Sequence, residues 1–234
     1  FIALPYVAII IFVIGTIYRY RETKFKYGSI SSQFFETRML CWGSVPFHYG
    51  IIFLFFGHLT AFLIPRYVLL WNQQPLRLAI LEITAFVAAI LTFLGLINLF
   101  YRRLKNPYVR KVTNYADIIL EILLLTEIFL GLWVAYSYRW GSTWFAVVLS
   151  PYLKSIFEFN PKTDAIVMLP LGVQLHIIFA FLILLIIPFT RLVHLLVFPL
   201  SYLWRPYQKV IWNWDRKKVR NPKIKWTIHK PTNN

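Results

Sequence analysis

Five long apolar runs constrain the fold of this chain more than any other feature of its sequence. A helix needs about 20 mostly apolar residues to cross the hydrocarbon core of a bilayer. The runs are continuous rather than alternating between apolar and polar residues, which favours helices over the strands of a membrane barrel. The predicted spans are residues 2–18, 43–65, 78–100, 116–138 and 169–190, the last with an apolar extension to Leu203. We therefore predict an all-α membrane protein with five transmembrane helices in a bundle.

The basic residues indicate how these spans are oriented. The chain carries 25 Lys and Arg residues and a net charge of +16, which in a soluble protein would suggest nucleic-acid binding. Here 59% of the residues are hydrophobic, against about 45–50% in soluble domains, so a membrane explanation is better. Twenty of the 25 basic residues fall on one side of the predicted topology. The positive-inside rule then predicts an outside N-terminus and a cytoplasmic C-terminus in the cell membrane, with no nucleic-acid partner.

Both ends of the chain carry signals that bear on its organisation. The first run has no basic stretch before it and no small-residue cleavage site after it, so we expect it to remain as a span. The chain begins with Phe1 rather than Met, and we expect further residues before it. We predict a five-span domain in residues 1–207 and a basic tail in residues 208–234 that either meets a membrane surface or partner, or is solvated. Cys41 is the only cysteine, which excludes an internal disulfide and a cysteine-ligated cluster.

Four of the five histidines occur in pairs, two in the second predicted span and two in or next to the fifth. Ionisable side chains are costly in hydrocarbon and usually mark a function there, and neutral imidazole is the commonest metal ligand. Because the two spans run in opposite directions, depth pairs His48 with His194 near the cytoplasmic face. Depth likewise pairs His58 with His176 nearer the outer face. Each pair would suit one haem iron, with an imidazole on either side.

The spacing of these histidines does not fit two straight helices. His176 and His194 are five full turns apart and share a face, whereas His48 and His58 differ by about 80° around their helix. The axial separations would be about 27 Å and about 15 Å. A kink at Pro188, or helix tilt, is expected to absorb the difference. Two interpretations without haem stay open at this point, namely histidines that only hydrogen-bond between helices and a metal-free proton relay.

Several short motifs follow one another along most of the chain. They are IYRYR from residue 17, FHYGI at 47–51, FFGH at 55–58, YRRL with PYVRKVT within 101–113, ADIIL at 116–120 and PFTRLVHLLVFPLSYLWRPYQ at 188–208. In order and spacing they resemble the gamma subunit family of respiratory nitrate reductase, a membrane di-haem cytochrome b. The likeness covers nearly all of residues 1–208, and the tail beyond has no recognised counterpart.

The resemblance implies a specific set of cofactors, substrate and partners. It implies two haem b groups, the outer one held by His58 and His176 and the inner one by His48 and His194. Quinol would be oxidised near the outer haem, where Gly57 and His58 match the family's quinol motif, with Arg77 the nearest candidate for a basic residue of that site. Electrons would pass inward to an iron–sulfur beta subunit, and an alpha subunit with a molybdenum cofactor would reduce nitrate. The implied partners are these two cytoplasmic subunits, membrane quinone and lipid.

Charged residues near the spans supply further candidates. Three arginines at the depth of the inner haem are candidate contacts to its propionates, although lipid phosphate is an alternative partner: Arg191, Arg102 and Arg103. Three glutamates lie in or near the third and fourth spans, where a carboxyl group either relays protons or hydrogen-bonds to a neighbouring helix: Glu82, Glu121 and Glu127.

Other functions remain compatible with this pattern. The chain would serve equally as the haem b subunit of a related complex, nitrite-oxidising or linked to sulfite reduction, and the sequence of the adjoining catalytic subunit would distinguish these. A haem-free proton channel or transporter would be colourless, and the chain lacks the inverted repeats and midplane helix breaks typical of transporters. A pure structural anchor would tolerate replacement of all four histidines.

Overall fold

The computed structural model describes residues 1–23 and 38–196, and in these residues the regular structure is helical, with no strand. The chain to Ser137 forms α1 (Ala3–Thr23), α2 (Arg38–Leu63), α3 (Pro65–Asn72), α4 (Pro75–Lys105), α5 (Pro107–Lys111) and α6 (Tyr115–Ser137). The rest of the described chain forms α7 (Gly141–Trp144), a π-helix (Phe145–Leu149), α8 (Ser150–Phe157), α9 (Asp164–Val167), α10 (Leu171–Ile186) and two 3-10 helices (Ile187–Phe189 and Arg191–Leu196).

Five helical segments of the described chain are long and apolar enough to cross a membrane: α1, α2, α4, α6 and Leu171–Phe189. The predicted helical class and the presence of five helices able to span a membrane are therefore confirmed, whereas their arrangement as a bundle stays a prediction. Large apolar side chains such as Phe55, Ile83 and Leu94 stay exposed on these helices, as expected of surfaces that face lipid. The orientation of the termini stays a prediction, and the boundary with the tail lies outside the described residues.

Helix α4 extends well beyond its predicted apolar run of 78–100. It begins at Pro75, which suits the first turn of a helix because its missing N–H would be unpaired there. Its last turn carries Arg102, Arg103 and Lys105, and positive charge is favoured next to a helix C-terminus. Hydropathy detects only the part of a helix that lies in hydrocarbon, so it underestimates the length of such a helix.

Close packing joins α2 to α4, α4 to α6, α6 to α10 and α10 to α1. The contact between α2 and α4 depends on glycine, because a Cβ atom on Gly95 would lie 2.6 Å from the Phe47 nitrogen and 2.7 Å from the Gly43 oxygen. Those atoms belong to the backbone and cannot move aside without separating the helices. Helices α2 and α10, which carry three of the paired histidines, are not among these closely packed pairs.

The turn between α4 and α6 is set by two asparagine caps. Asn106 accepts hydrogen bonds from the Tyr108 and Val109 N–H groups and starts α5. Asn114 and Asp117 form a reciprocal capping box that starts α6, with each side chain accepting from the backbone N–H of the other. Asp117 is thereby fixed in the first turn of α6, close to the end of α4.

The fifth span is interrupted before it reaches His194. The α-helix ends at Ile186, a 3-10 turn contains Pro188, and Thr190 is extended with φ −119° and ψ 176°. The prediction that His176 and His194 share one face of a continuous helix is therefore wrong. Proline lacks the N–H needed to continue the helix, and the chain changes direction before a new 3-10 helix begins at Arg191.

The connection between α6 and α10 folds against the spans. Tyr152 and Ile156 of α8 and Ile166 of α9 are buried against Val134 of α6 and Val173 of α10. The Tyr152 hydroxyl donates to the Phe1 carbonyl oxygen at 2.7 Å. Burial raises the pKa of Tyr152 to about 12, which keeps the phenol protonated as a donor. The connection is thus held to the start of α1.

Candidate functional site

His48 lies in α2 with its ring nitrogen Nδ1 2.7 Å from the carbonyl oxygen of Ser44, one turn earlier. A carbonyl oxygen only accepts hydrogen bonds, so the Nδ1 facing it carries the proton. The Ser44 hydroxyl lies 3.1 Å from the same nitrogen. In this tautomer the other ring nitrogen, Nε2, keeps a lone pair that is available to a metal.

His58 and His194 repeat this arrangement. The His58 Nδ1 lies 2.8 Å from the Leu54 carbonyl oxygen, four residues earlier on α2. The His194 Nδ1 lies 2.6 Å from the carbonyl oxygen of Arg191, three residues earlier in its 3-10 helix. Both rings are exposed on the surface of their helices, and both have the tautomer that leaves Nε2 without a proton.

His176 has a different partner, on another helix. Its Nδ1 lies 3.1 Å from Oε1 of Glu127 in α6, within ion-pair distance although off the direction of a hydrogen bond. A Cβ atom on Gly131 of α6 would lie 3.1 Å from the His176 Cε1, so the absence of a side chain there makes room for the ring. Glu127 was one of three glutamates that the sequence offered as proton relays or hydrogen-bonding groups, and its contact with His176 was not predicted.

The structure brings the histidines together in the two pairs that depth predicts. The ring centroids of His48 and His194 are 6.3 Å apart, with their planes at 59°. His58 of α2 and His176 of α10 are also near each other. The break before Arg191 permits this pairing, because it removes the requirement that His176 and His194 lie about 27 Å apart on one straight helix.

His58 is also adjacent to the connection between α6 and α10. The ring of Phe145 meets the His58 ring edge-on, with centroids 5.3 Å apart. Phe145 opens the π-helix, and such one-turn irregularities are frequent at functional sites. The sequence carries no signal for a π-helix here, so Phe145 was missed. The Ser150 hydroxyl donates to the Ala61 carbonyl at 2.9 Å and holds the connection against α2.

The predicted quinol residues are only partly assembled. Gly57 and His58 are neighbours on the exposed face of α2, and a Cβ atom on Gly57 would meet nothing within 4 Å. The Arg77 guanidinium carbon lies 5.1 Å from the centre of the Trp71 ring, and the Trp71 indole N–H donates to the Arg77 carbonyl at 3.3 Å. None of the described polar or ring contacts joins Arg77 to Gly57 or His58.

Two of the predicted propionate contacts, Arg103 and Arg191, take part in a buried ion network. Asp117, 3% exposed, has Oδ1 3.0 Å from the Arg191 Nε and Oδ2 3.3 Å from the Arg103 NH1. The Arg103 Nε donates to the Glu121 Oε1 at 2.8 Å. Arg102 is also buried. Asp117 was not predicted as part of this network, although its place three residues after Asn114 is the signature of a capping box.

The arrangement therefore offers two pairs of imidazole nitrogens rather than a compact metal cage. Among the residues that the structure describes, no cluster of three or more His, Cys, Asp and Glu side chains would hold a bare metal ion. A pair of facing imidazoles instead suits a metal whose remaining ligands come from elsewhere.

Known proteins are similar to this sequence over most of its length. A family model described as nitrate reductase gamma subunit matches residues 1–213. The nitrate reductase gamma chain of Bacillus subtilis (strain 168) is 31% identical over 207 residues, covering 87% of this chain and 93% of that protein. The respiratory nitrate reductase 2 gamma chain of Escherichia coli (strain K12) is 32% identical over 213 residues, covering 88% and 92%. The nitrate reductase-like protein NarX of Mycobacterium tuberculosis (strain ATCC 25618 / H37Rv) is 33% identical over 218 residues, covering 87% of this chain but 32% of that protein.

Proposed function

Because the chain belongs to the nitrate reductase gamma subunit family, we propose that it is the membrane cytochrome b through which quinol supplies electrons to a nitrate reductase. Quinol is oxidised near the outer face, and the electrons pass through two bis-histidine haem b groups to iron–sulfur clusters of a cytoplasmic beta subunit. An alpha subunit with a molybdenum cofactor reduces nitrate. The chain lies in the cell membrane with its N-terminus outside and its C-terminus in the cytoplasm, as its basic residues indicate.

The observation that carries this proposal is the environment of the four Nδ1 atoms. Three of them face backbone carbonyl oxygens and the fourth lies against a carboxylate. A histidine that binds a metal almost always directs its other ring nitrogen to such a group, which fixes its tautomer and orientation. The four Nε2 atoms are thereby prepared as ligands, two for each pair.

The separation of His48 and His194 also fits a single iron between them. An imidazole nitrogen binds a transition metal at about 2.0 Å. Each atom of a five-membered ring with bonds of about 1.35 Å lies about 1.15 Å from the centroid. Two imidazoles on opposite sides of one metal therefore have centroids about 6.3 Å apart, and the observed distance is 6.3 Å. His48 and His194 would hold such a metal from two sides, and the porphyrin of a haem would supply its other ligands.

The two pairs have distinct assignments in this proposal. His48 and His194 hold the inner haem, and His58 and His176 hold the outer one. A haem held by two histidines in this way would supply electron transfer rather than a site for small molecules. Inward transfer of an electron against a membrane potential costs about 2.3 kcal/mol per 100 mV, which the oxidation of quinol must supply.

The remaining predicted residues act on the quinol and on the haem propionates. Gly57 offers an approach without a side chain next to His58, and the cation of Arg77 is available on the outer side. A guanidinium has five N–H donors, so pairing with Asp117 does not by itself exclude contacts from Arg103 or Arg191 to a propionate. Arg102 is the third candidate for such a contact.

Haem stoichiometry of the purified chain tests this proposal. We expect two haem b per chain by pyridine haemochrome assay. His176→Ala and His194→Ala should each lose one haem, and not the same one, because they belong to different pairs. His229→Ala is the matched control, since His229 is the fifth histidine and lies in the tail. This variant should keep both haems.

Activity of the complete complex supplies a second readout. His176→Ala should stop quinol-dependent nitrate reduction, while reduction by an artificial donor to the alpha subunit should continue. A colourless wild-type chain, or a His176→Ala variant that keeps both haem signals, would contradict the assignment. Quinol-dependent reduction of sulfite but not nitrate would favour the related complexes instead.

A further inference from the structure

The outer pair differs from the inner pair in what supports its histidines. His48, His58 and His194 each direct Nδ1 to a carbonyl oxygen of their own helix. Such a partner belongs to the backbone and is present whatever the neighbouring side chains are. His176 instead lies 3.1 Å from the Glu127 carboxylate, which belongs to a different helix. His176 therefore differs from the other three histidines, because its partner is a negatively charged side chain that a substitution can remove.

Helix α6 is shaped to receive the His176 ring. Glu127 and Gly131 are four residues apart, so they lie on the same face of α6, which packs against α10. A side chain at 131 would begin 3.1 Å from the His176 Cε1 and would press on the ring. The carboxylate at one turn and the missing side chain at the next together fix where the imidazole sits.

The burial of Glu127 indicates that its contact with His176 offsets the cost of removing the carboxylate from water. Its side chain is 16% exposed, and its Oε2 is buried with no hydrogen-bond partner. Burial of a carboxylate is costly unless a partner compensates it. The other buried carboxylates of α6, Asp117 and Glu121, are paired with arginine. For Glu127 the described ionic partner is His176.

We propose that Glu127 is a positioning residue for the outer haem, an inference that rests on the function proposed above. It holds the His176 ring from the Nδ1 side and makes the imidazole a more electron-donating ligand. Negative charge next to an axial ligand stabilises oxidised iron, because that state is the more positive one. Glu127 thus lowers the reduction potential of the outer haem relative to the inner haem. That difference directs electrons from the quinol side towards the cytoplasm.

Redox titration of the purified two-haem protein tests this role. Glu127→Gln keeps the shape of the side chain and a hydrogen-bond acceptor but removes the charge. We expect this variant to keep both haems and to raise the outer-haem midpoint potential by about 59 mV or more, equivalent to a tenfold change in a one-electron equilibrium. The inner-haem potential should not change. Glu121→Gln, the same change on the same helix, should leave the outer-haem potential as it is, because Glu121 pairs with Arg103.

Electron paramagnetic resonance reports the ring orientation separately. Glu127→Leu removes the carboxylate beside Nδ1, so the ring plane of His176 should rotate and the low-spin signal of the outer haem should shift, while that of the inner haem stays. Glu127→Gln should restore most of the wild-type signal. A Glu127→Gln protein with two haems and an unchanged outer-haem potential, together with a Glu127→Leu protein whose outer-haem signal is unchanged, would overturn the role of Glu127 and leave the proposed function intact. Absence of haem from the wild-type chain would instead defeat the proposed function.

Discussion

Replacing Asp117 with asparagine removes one negative charge from the buried ion network and keeps the size of the side chain. Asp117 connects three parts of the fold, since it starts α6, contacts Arg103 of α4 and contacts Arg191 next to the break in the fifth span. The Arg191 carbonyl in turn faces the Nδ1 of His194. Loss of this charge should therefore weaken the junction of the helices and the position of one predicted haem ligand.

The expected loss of folding stability follows from the burial of Arg103 and Arg191, the partners of Asp117. Removal of one member of a buried ion pair costs about 3–5 kcal/mol, because the other charge stays buried and uncompensated. The side chains of Arg103 and Arg191 are 19% and 22% exposed, and Glu121 continues to neutralise Arg103, so the lower end of the range applies. An asparagine oxygen still accepts from the Asn114 N–H, which preserves most of the helix cap. A loss of about 3 kcal/mol lowers the melting temperature by about 6–12 °C for a chain of this size.

Thermal unfolding in detergent measures this effect, followed by tryptophan fluorescence and by the absorbance of each haem. Asp164→Asn is the matched control, because Asp164 is exposed in the first turn of α9. Exposed substitutions usually change stability by less than about 0.5 kcal/mol. We also expect the inner haem of Asp117→Asn to dissociate before the outer one. A melting temperature within about 2 °C of wild type would show that Arg103 and Arg191, which are partly buried, do not need this charge.

Two further predictions concern packing and pH. Gly95→Ala should lower the free energy of unfolding by about 1–3 kcal/mol, because the added Cβ separates α2 from α4. Gly57→Ala is the control and should not lower the melting temperature, because no atom lies within 4 Å of its added Cβ. Equal losses of stability in the two variants would contradict this role of Gly95. The pKa of Tyr152 is raised to about 12 by burial, so its contribution to stability is complete below about pH 10 and is lost as pH rises from about 10 to 12. Ultraviolet difference titration of wild type against Tyr152→Phe should show one phenol that ionises near that upper value, and ionisation near 10 would contradict it.

The parts of the fold that sequence predicts are those that depend on local composition. The five spans follow from runs of apolar residues, because each helix satisfies its own backbone hydrogen bonds and meets lipid on much of its surface. The pairing of His48 with His194 is predicted from depth alone, because the two spans run in opposite directions and both residues fall near the same predicted face of the membrane. The ends of α4 were predicted less accurately, because its terminal turns contain proline and basic residues that lower the local hydropathy.

Other features depend on contacts between distant segments and have no local signature. Glu127 and His176 are 49 positions apart in number, and only the packing of α6 against α10 makes them neighbours. The same holds for Asp117 and Arg191, and for Phe145 and His58. Pro188 suggested a kink, but the extended residue after it and the separate helix that carries His194 were decided by the surrounding packing.

The sequence by itself thus determined that this protein is a set of apolar helices with histidines at two depths, and its motifs determined the family. The reason is that a bilayer imposes length and hydrophobicity on each span separately. The tertiary structure decided which group supports each imidazole and where the fifth span turns. Those features arise from side chains that meet only when the helices pack, and backbone geometry at a helix break responds to that packing rather than to composition.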